Sequence, residues 1–507
     1  MNELLLGLDI GTSSSKGVLV TPDGSVVARA DRPHGLSIPR PGWAEHDVIA
    51  DWWVGAVAIM RELTAAAQGP IVGVGASGLG PCLVPAGADD SPLRPAILYG
   101  IDTRATAEIA ELTARYGPDE ILRRGGSVLT SQAVGPKLLW LQRNEPEVWS
   151  RTRRMYMASS YLVRRLTGAY VLDHHSASQC DPLYDMGRGE WASDWAGEIA
   201  SGIELPALLW PGDVAGHVSP EAAAATGLPA GIPMVAGTID AWAEAASVGV
   251  RRPGDTMLMY GTTMFLVEVV DRFVPDRTIW GTAGVEPGSR TLAAGMATSG
   301  ALTGWFRDLV GGPPFETLVA EAAVVPAGSH GLVVLPYFAG ERTPIFDPDA
   351  RGMILGLTLE HGRGHLYRAL LEATGYGVRH ILAALGAAGS PPRRLVAVGG
   401  GTKGGLWTRI VSSVTGIAQE VPAVTIGASY GDAFMAGVAA GVVDPAADWT
   451  RIAEVVEPDE RLRATYDELY QAYLDLYPAT REQAHLLAAL QRRDAAPRDA
   501  DPRDATG

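Results

Sequence analysis

The chain has 507 residues, of which 47% are hydrophobic and 19% are charged, so the composition excludes a disordered protein and leaves room for roughly two to four domains. Its formal net charge of −16 argues against nucleic acid or an anionic membrane surface as a partner. The two cysteines, Cys82 and Cys180, exclude a disulfide framework or a thiolate zinc cluster and favour a reducing cytoplasm.

The chain opens with a pattern that is typical of a three-strand meander. Residues 4–8 form an apolar run that ends at Asp9, which is too short for a signal peptide or a membrane span. Further apolar runs lie at 17–20 and 25–30, separated by a Thr-Pro-Asp-Gly turn at 21–24. An α/β fold is predicted by the elements that follow, a strand at 71–76 and helices at 49–66, 104–116 and 136–144.

A second copy of the strand–turn–strand pattern lies at 256–270, around the turn Gly261-Thr262-Thr263. Two such hairpins, one opening each half of the chain, predict a duplicated domain. The segment 248–255 is interrupted by glycine and proline, so we expect domains at 1–247 and 248–487. The last predicted elements are a strand at 395–401 and helices at 404–415, 428–441 and 458–476.

The carboxyl-terminal residues 488–507 are predicted to be a disordered tail. From Arg492 onward the sequence is charged, contains proline and is almost free of apolar residues. Such a segment has too little apolar surface to offset the entropy of ordering it.

The first hairpin turn has the residues of a phosphate site. Backbone amides of a tight turn form an anion-binding nest, to which the turn adds hydroxyls and Lys16 adds a positive charge. Asp9 would repel phosphate unless a cation lay between them, which suggests Mg²⁺ held through carboxylate, water and phosphate oxygens. For either hairpin alone, an ordinary glycine turn remains an alternative. The residues of this predicted site are Gly11, Thr12, Ser13, Ser14 and Lys16.

Two further segments contain candidate residues for catalysis or for nucleotide binding. Asp240 follows the predicted strand 233–236 at the start of a helix, where α/β sheets present reactive groups, although a helix N-cap is an equally simple interpretation. The glycine-rich segment 399–405 does not have the dinucleotide-binding spacing, but its backbone could approach a base or ribose closely. Only three of the 41 basic residues are lysines, which marks positions where a compact ammonium matters: Lys16, Lys137 and Lys403.

DIGTSSSKG near the start of the chain and MYGTTMF at the second hairpin resemble the two phosphate motifs of the FGGY family of carbohydrate kinases. The resemblance runs from about residue 4 to about 445. The segment 134–144 resembles its first signature, with departures at Gln132 and Val134, and the segment 352–372 resembles its second signature except at Leu370. The segment 335–352 is similar to the xylulose-kinase branch of the family.

This resemblance implies two actin-like (ribonuclease-H-like) domains that flank a catalytic cleft. It also implies transfer of the γ-phosphoryl group of ATP to a hydroxyl of a sugar or polyol, with Mg²⁺ as cofactor. By the same resemblance Asp240 is the catalytic base and a substrate and metal contact, and Asp9 is the metal-proximal acid. The implied ATP contacts are Gly11, Thr12, Ser13, Ser14 and Lys16 for one phosphate turn, Gly261, Thr262 and Thr263 for the other, Gly300 for the nucleotide, and Gly400, Gly401 and Thr402 for the adenosine side.

The sugar side departs from the family pattern. Asp102 resembles a family element near the sugar, but xylulose kinases usually have Gln-Met-His where this chain has Leu79, Gly80 and Pro81. Because Leu and Pro side chains cannot hydrogen-bond a hydroxyl, the substrate is left open. D-xylulose is the first expectation, and another pentulose, a tetritol or pentitol, or a modified sugar are alternatives. An actin-like ATPase without a sugar substrate and an inactive sugar sensor are the alternatives from other classes, and a homodimer is an open alternative to a monomer.

Overall fold

The computed structural model describes residues 3–389, 391–423 and 425–495. Its strands are β1 (Leu4–Ile10), β2 (Ser14–Val20), β3 (Val26–Pro33), β4 (Glu45–His46), β5 (Ile71–Gly78), β6 (Val84–Ala86), β7 (Ala96–Ile97), β8 (Arg154–Tyr156), β9 (Val171–Asp173), β10 (Tyr184–Asp185), β11 (Glu190–Trp191), β12 (Ala207–Leu209), β13 (Val214–His217), β14 (Pro233–Val235), β15 (Asp255–Tyr260), β16 (Met264–Val270), β17 (Trp280–Ala283), β18 (Arg290–Met296), β19 (Val333–Leu335), β20 (Met353–Leu355), β21 (Arg394–Val398), β22 (Gln419–Pro422) and β23 (Ile452–Val456).

The α-helices are α1 (Val54–Ala66), α2 (Thr106–Tyr116), α3 (Pro118–Gly125), α4 (Val134–Asn144), α5 (Pro146–Arg151), α6 (Ala158–Thr167), α7 (His174–Ser178), α8 (Ser193–Ile199), α9 (Pro220–Thr226), α10 (Asp240–Ser247), α11 (Gly300–Leu309), α12 (Phe315–Ala323), α13 (Arg363–Ala387), α14 (Leu406–Thr415), α15 (Ala428–Ala439) and α16 (Arg463–Ala495). A π-helical turn at Val48–Trp53 leads into α1, and short 3₁₀ helices lie at Gly400–Thr402 and Glu460–Leu462. No helix in the described part of the chain is both long enough and apolar enough to cross a membrane.

The chain divides into two compact units. Unit 1 comprises Met1–Asp255, Val267–Ala293 and Ala423–Arg451, and unit 2 comprises Thr256–Leu266, Ala294–Pro422 and Ile452–Gly507. The division between Asp255 and Thr256 falls at the end of the segment 248–255, in which the sequence places the domain junction. The sequence did not predict that segments from the second half of the chain would pack into unit 1.

The sheet of unit 1 has six strands in the order β13-β14-β5-β1-β2-β3. β1, β2 and β3 form the predicted antiparallel meander, whereas β5 lies parallel to both β1 and β14. All of β1 except Asp9 is buried, as expected of a central strand covered on both faces. Helix α15 lies directly on β1, because a Cβ at Gly7 would come 1.8 Å from the carbonyl oxygen of Ser429.

A second sheet repeats this order. Its seven strands are ordered β17-β18-β16-β15-β21-β22-β23, with β21 and β22 parallel and β22 and β23 antiparallel. In both sheets a hairpin is followed by two mutually parallel strands, β5 and β14 or β21 and β22, and then by an antiparallel edge strand, β13 or β23. The second sheet has one extra edge strand, β17. This repeated order agrees with the predicted duplication. The core of unit 2 includes Leu302, Leu318, Leu370, Tyr376 and Tyr473.

The carboxyl-terminal prediction needs a correction. Helix α16 runs to Ala495, beyond the predicted end at 476, so residues 488–495 are helical and not disordered. The remainder of the predicted tail, 496–507, lies outside the described residues.

Candidate active site

The first hairpin turn connects the buried ends of β1 and β2. The Gly11 amide donates to the Ser14 carbonyl oxygen at 3.0 Å, and a Cβ at Gly11 would lie 2.9 Å from that oxygen, so the tight turn favours glycine. Asp9 and Lys16 are cross-strand partners in the β1–β2 register, and Lys16 is exposed. The Thr12 hydroxyl shares a hydrogen bond of 2.9 Å with the Tyr99 hydroxyl. The turn thus combines an exposed cation with a strand-end carboxylate.

Asp240 is the first residue of α10, and its N-cap residue is Ile239. The Asp240 Oδ1 atom accepts the Ala241 amide at 2.7 Å, which fixes the carboxylate at the helix start. Just before the helix, the Gly78 amide at the end of β5 donates to the Thr238 carbonyl oxygen at 3.2 Å. Since β5 is parallel to β1, these bonds bring the start of α10 to the strand end that carries Asp9.

Burial and like charge shift the acidic side chains of this region in the same direction. Burial and, after it, the charge of Asp240 raise the pKa of Asp9, while Lys16 opposes the shift. Burial also raises the pKa of Asp240. The pKa of Glu244 rises to about 7, again by burial first and by Asp240 second. The site therefore holds more carboxylate charge than Lys16 compensates.

Three residues of this region were not singled out from the sequence. Glu244 lies four residues after Asp240 on α10, a spacing that places both on one helix face and could have been noticed. Ser77 donates to Asp432 Oδ2 at 2.6 Å and lies 3.5 Å from Asp9 Oδ1. Burial raises the pKa of Asp432 well above its usual range. No local pattern could have linked Asp432 to Ser77, because the two are far apart in sequence.

The donor set fits a magnesium ion that keeps part of its water shell. Within residues 3–389, 391–423 and 425–495, no group of three histidine, cysteine or acidic residues is arranged to hold a metal by itself. Mg²⁺ usually binds through one or two carboxylates together with waters and substrate phosphates. Asp9 and Asp240 offer that many, and the burial that raises both pKa values disfavours their charged forms, a cost that a bound cation would offset. Their assignment as metal contacts stays a prediction.

The second hairpin belongs to unit 2 and contacts two other predicted nucleotide elements. The amides of Gly300 and Ala301 at the start of α11 donate to the carbonyl oxygens of Gly261 and Thr262 at 2.9 and 3.0 Å. The Gly300 amide is therefore already engaged by the hairpin. A Cβ at Gly300 would come 2.5 Å from the Gly261 oxygen, so this close approach requires glycine. Thr263 closes the turn by accepting the Gly261 amide at 3.1 Å.

The glycine-rich segment after β21 packs on the same hairpin. Gly399 has φ +94°, and a Cβ there would lie 2.6 Å from the carbonyl oxygen of Tyr260. A Cβ at Gly401 would lie 2.9 Å from both Tyr260 and Trp407. The Thr402 hydroxyl donates to the Gly399 carbonyl oxygen at 2.9 Å. Within unit 2, the structure thus brings together Gly261, Thr262, Thr263, Gly300, Gly400, Gly401 and Thr402.

The predicted sugar segment lies beside Asp240 but presents little side-chain polarity. The Leu79 side chain is 1% exposed and Pro81 is buried. Gly80 packs on the residue before Asp240, since a Cβ there would lie 2.7 Å from Cγ1 of Ile239. Leu79 and Pro81 therefore expose little side-chain surface, and the predicted contacts of Leu79, Gly80 and Pro81 with substrate stay predictions.

Asp102 is held by a backbone amide and by an arginine. Its carboxylate is fully buried and accepts the Ala44 amide at 2.7 Å. The Arg104 guanidinium binds both carboxylate oxygens, at 2.9 Å from Nε to Oδ1 and 2.7 Å from the terminal nitrogen to Oδ2. Both oxygens therefore already accept hydrogen bonds within the protein, and the substrate contact assigned to Asp102 stays a prediction.

Comparison with known proteins gives the same family for both halves of the chain. Residues 4–249 match the sequence model of the N-terminal domain of the FGGY family of carbohydrate kinases, and residues 256–440 match that of its C-terminal domain. The chain is 30% identical to a xylulose kinase of Escherichia coli strain K12, over 86% of this chain and 90% of that protein. It is also 30% identical to a glycerol kinase of Symbiobacterium thermophilum, over 86% of this chain and 90% of that protein.

A solved structure extends the comparison to the fold. The crystal structure of xylulose kinase from Rhodospirillum rubrum has 34% sequence identity and a TM-score of 0.89, covering 95% of this chain and all of that chain. The two-sheet architecture is accordingly the two-domain actin-like fold of such kinases. The matched sequence models, the relatives and the repeated sheet order together show that the chain belongs to the FGGY family of carbohydrate kinases.

Proposed function

We propose that this carbohydrate kinase transfers the γ-phosphoryl group of ATP to a hydroxyl of a pentulose, with D-xylulose as the substrate that we favour. The observation that carries the proposal is the meeting of Asp9, Lys16 and Asp240 at one end of the unit 1 sheet. The 335–352 segment and the relatives named xylulose kinase support a pentulose.

In this proposal Asp240 orients and deprotonates the acceptor hydroxyl. The bond from the Ala241 amide holds one carboxylate oxygen, and the proton of the hydroxyl passes to the carboxylate. The substrate oxygen forms a bond to the γ-phosphorus, the bond from that phosphorus to the bridging oxygen breaks, and ADP leaves. A raised pKa makes Asp240 a stronger base than an ordinary aspartate once it is deprotonated.

The remaining predicted residues bind and neutralise the phosphates. The turn amides and Lys16 would bind one part of the triphosphate, and Gly261, Thr262 and Thr263 another part. Gly300, Gly400, Gly401 and Thr402 would form the nucleotide side. Mg²⁺, when bound, supplies positive charge to the phosphate oxygens, and Asp9 with Asp240 would hold it.

A polyol or a different sugar is the second candidate, and a specific observation favours it. With Leu79 and Pro81 buried and Gly80 half-buried against Ile239, the segment next to Asp240 lacks the polar side chains that a ketose-specific site uses to bind hydroxyls. A site without such partners discriminates weakly among small polyhydroxy compounds.

The test is an ADP-release assay with Mg-ATP across pentuloses, pentitols, tetritols, glycerol and hexoses. We expect the highest kcat/KM with D-xylulose, and little ATP hydrolysis without an acceptor. A higher kcat/KM with a polyol than with D-xylulose would make that polyol the favoured substrate. ATP hydrolysis at an equal rate without any acceptor would overturn the proposed kinase reaction. Because the reaction consumes ATP, we propose that the protein acts in the cytoplasm. Light scattering would measure whether the chain forms a homodimer.

A further inference from the structure

One cavity of unit 1 is lined by residues other than those of the candidate active site. Its volume is about 290 Å³, and it is formed by the β2–β3 turn, the carboxyl-terminal end of α10, the start of α15 and the segment 449–451. The lining residues that matter below are Gly24, Arg29, Ser247, Tyr430, Trp449 and Arg451.

The aromatic part of the wall is held rigidly. The Tyr430 hydroxyl donates to the Gly24 carbonyl oxygen at 2.7 Å, and the Trp449 indole donates to the Pro22 carbonyl oxygen at 3.1 Å. The two ring centroids are 5.1 Å apart. Gly24 has φ +82°, and a Cβ there would come 2.6 Å from the Tyr430 hydroxyl, so the turn rests directly on both rings. With their polar atoms already bonded, the rings offer a ligand carbon surface.

The charged part of the wall consists of two arginines and one aspartate, so its net charge is positive. Arg29 and Arg451 both line the cavity and are exposed, and neither forms an ion pair with a carboxylate among the described residues. Asp23 also lines it, but its Oδ1 atom already accepts from the Thr21 hydroxyl at 2.5 Å and the Ser25 amide at 3.1 Å. Two unpaired guanidinium groups on a chain of net charge −16 indicate an anionic ligand.

We propose that this cavity is a second ligand site, which binds a small phosphate monoester of a sugar or polyol. Guanidinium groups bind phosphate oxygens with two parallel hydrogen bonds, and aromatic carbon surface packs against the carbon skeleton of a sugar. The volume is at the lower end for small-molecule sites, which favours a ligand of sugar-phosphate size over a nucleoside triphosphate.

Three consecutive residues of α15 connect this cavity to the acidic cluster. Tyr430 lines the cavity. A Cβ at Gly431 would come 2.1 Å from the Ala243 carbonyl oxygen, so α15 touches the backbone of α10 there. Asp432 accepts the Ser77 hydroxyl beside Asp9. Ser247, at the other end of the helix that begins with Asp240, also lines the cavity. A ligand that binds one relative position of α10 and α15 more tightly than another would shift the two helices toward that position. Because Asp240 and Asp432 lie on these helices, such a shift would change turnover.

Titration calorimetry on the full chain, without ATP or Mg²⁺, tests the binding. The probes are glycerol 3-phosphate and a pentulose 5-phosphate, with inorganic phosphate and glycerol as fragments. We expect Arg451→Ala and Arg29→Ala each to weaken the binding of both esters by about tenfold or more, because each removes a charge-assisted hydrogen bond. Arg188→Ala, at an exposed arginine of the same unit, is the matched control and should leave affinity unchanged.

A second variant separates this cavity from the phosphate turn of the active site. Lys16→Ala should leave ester binding intact if the cavity is the site. Loss of binding in Lys16→Ala, together with full binding in Arg451→Ala, would overturn the proposal, as would no binding to the wild-type chain. Because these titrations need no turnover, they succeed or fail independently of the proposed kinase reaction.

Kinetics test the connection along α15. Addition of glycerol 3-phosphate should change kcat or the KM for the acceptor in the wild-type enzyme and not in Arg451→Ala. An identical response of both enzymes would assign the effect to the active site and overturn the connection.

Discussion

In both hairpin turns a glycine amide donates to a carbonyl oxygen across the turn, but the surroundings of the two turns differ. In unit 1 the turn at Gly11 closes on the Ser14 carbonyl oxygen, and in unit 2 the turn at Gly261 closes on the Thr263 carbonyl oxygen. The first turn is bordered by Asp9, Lys16 and, through α10, Asp240. The turn of the second hairpin itself consists of uncharged residues, and its carbonyl oxygens are bonded to the start of α11.

This difference indicates a division of labour within one duplicated motif. The carboxylates beside the first turn can orient a hydroxyl and accept a proton, because burial raises the pKa of Asp9 to about 8 and the pKa of Asp240 to about 6. A turn built from glycine, threonine and close backbone contacts can only shape and hydrogen-bond a ligand. We therefore expect changes at the first turn to act on the chemical step and changes at the second turn to act on nucleotide affinity.

Neutralising Asp240 gives the largest expected effect. Asp240→Asn keeps the side-chain shape and the bond to the Ala241 amide but cannot accept the proton, so kcat should fall by about 10²- to 10⁴-fold or more. Nucleotide affinity, measured by titration, should stay nearly unchanged. Glu221→Gln, at an exposed acid on α9, is the control for loss of one negative charge. Turnover of Asp240→Asn within about tenfold of wild type would show that Asp240 is not the catalytic base.

A pair of glycines in unit 2 tests whether close backbone contacts near the second turn set nucleotide affinity. Gly399 and Gly404 have φ +94° and +83°, so alanine is strained at either position. Only at Gly399 would the new Cβ also meet backbone, 2.6 Å from the Tyr260 carbonyl oxygen, whereas at Gly404 nothing lies within 4 Å. Gly399→Ala should raise the KM for ATP by about tenfold, a shift worth about 1.4 kcal/mol, with a smaller change in kcat.

Gly404→Ala is the matched control, since it adds the backbone strain without the clash. It should lower the melting temperature slightly and leave the KM for ATP close to wild type. Equal effects of the two substitutions on that KM would mean that the contact with Tyr260 does not shape the nucleotide side.

The fold could be predicted where local signals were strong. Alternating apolar runs and glycine turns gave both hairpins within a few residues of β1–β2 and β15–β16. The end of α16 could not be predicted, because Pro478 favours a helix end and tertiary contacts outweigh it. The Tyr477 hydroxyl and the His485 imidazole, on either side of that proline, both bind Asp347 Oδ2, at 2.5 and 2.6 Å.

The candidate site was predictable only in its local parts. Asp9, Lys16 and Asp240 stand next to recognisable turns and a helix start. Asp432 reaches Ser77 only because α15 packs on β1 and β5, which no short sequence pattern encodes. The contact of Asp102 with Arg104 could not be predicted, because the sequence does not tell whether a carboxylate in a loop binds a ligand, a neighbouring arginine or both.

Lysines in the two units give the smallest expected effect and a test by pH. Lys137 is 1% exposed, and its ammonium donates to the Ser131 carbonyl oxygen at 2.7 Å, whereas Lys403 is exposed. Burial lowers the pKa of Lys137 to about 8. The folded chain therefore releases a proton that the unfolded chain retains between about pH 8 and the ordinary lysine pKa of about 10.4, so this group makes stability rise with pH in that window.

Urea unfolding at about pH 7.5 and about pH 9.5 measures the difference. The free energy of unfolding of Lys137→Met relative to wild type should decline from the lower to the higher pH, because the wild-type chain alone gains from deprotonation. Lys403→Met, at an exposed lysine of the other unit, is the control for the loss of one lysine ammonium. Lys137→Arg should be less stable than Lys137→Met. A guanidinium stays charged, and it is too large to occupy the position of the ammonium beside the Ser131 carbonyl oxygen. A flat pH trend for Lys137→Met would show that solvent reaches this ammonium, and the contrast between the two lysines would then no longer distinguish the units.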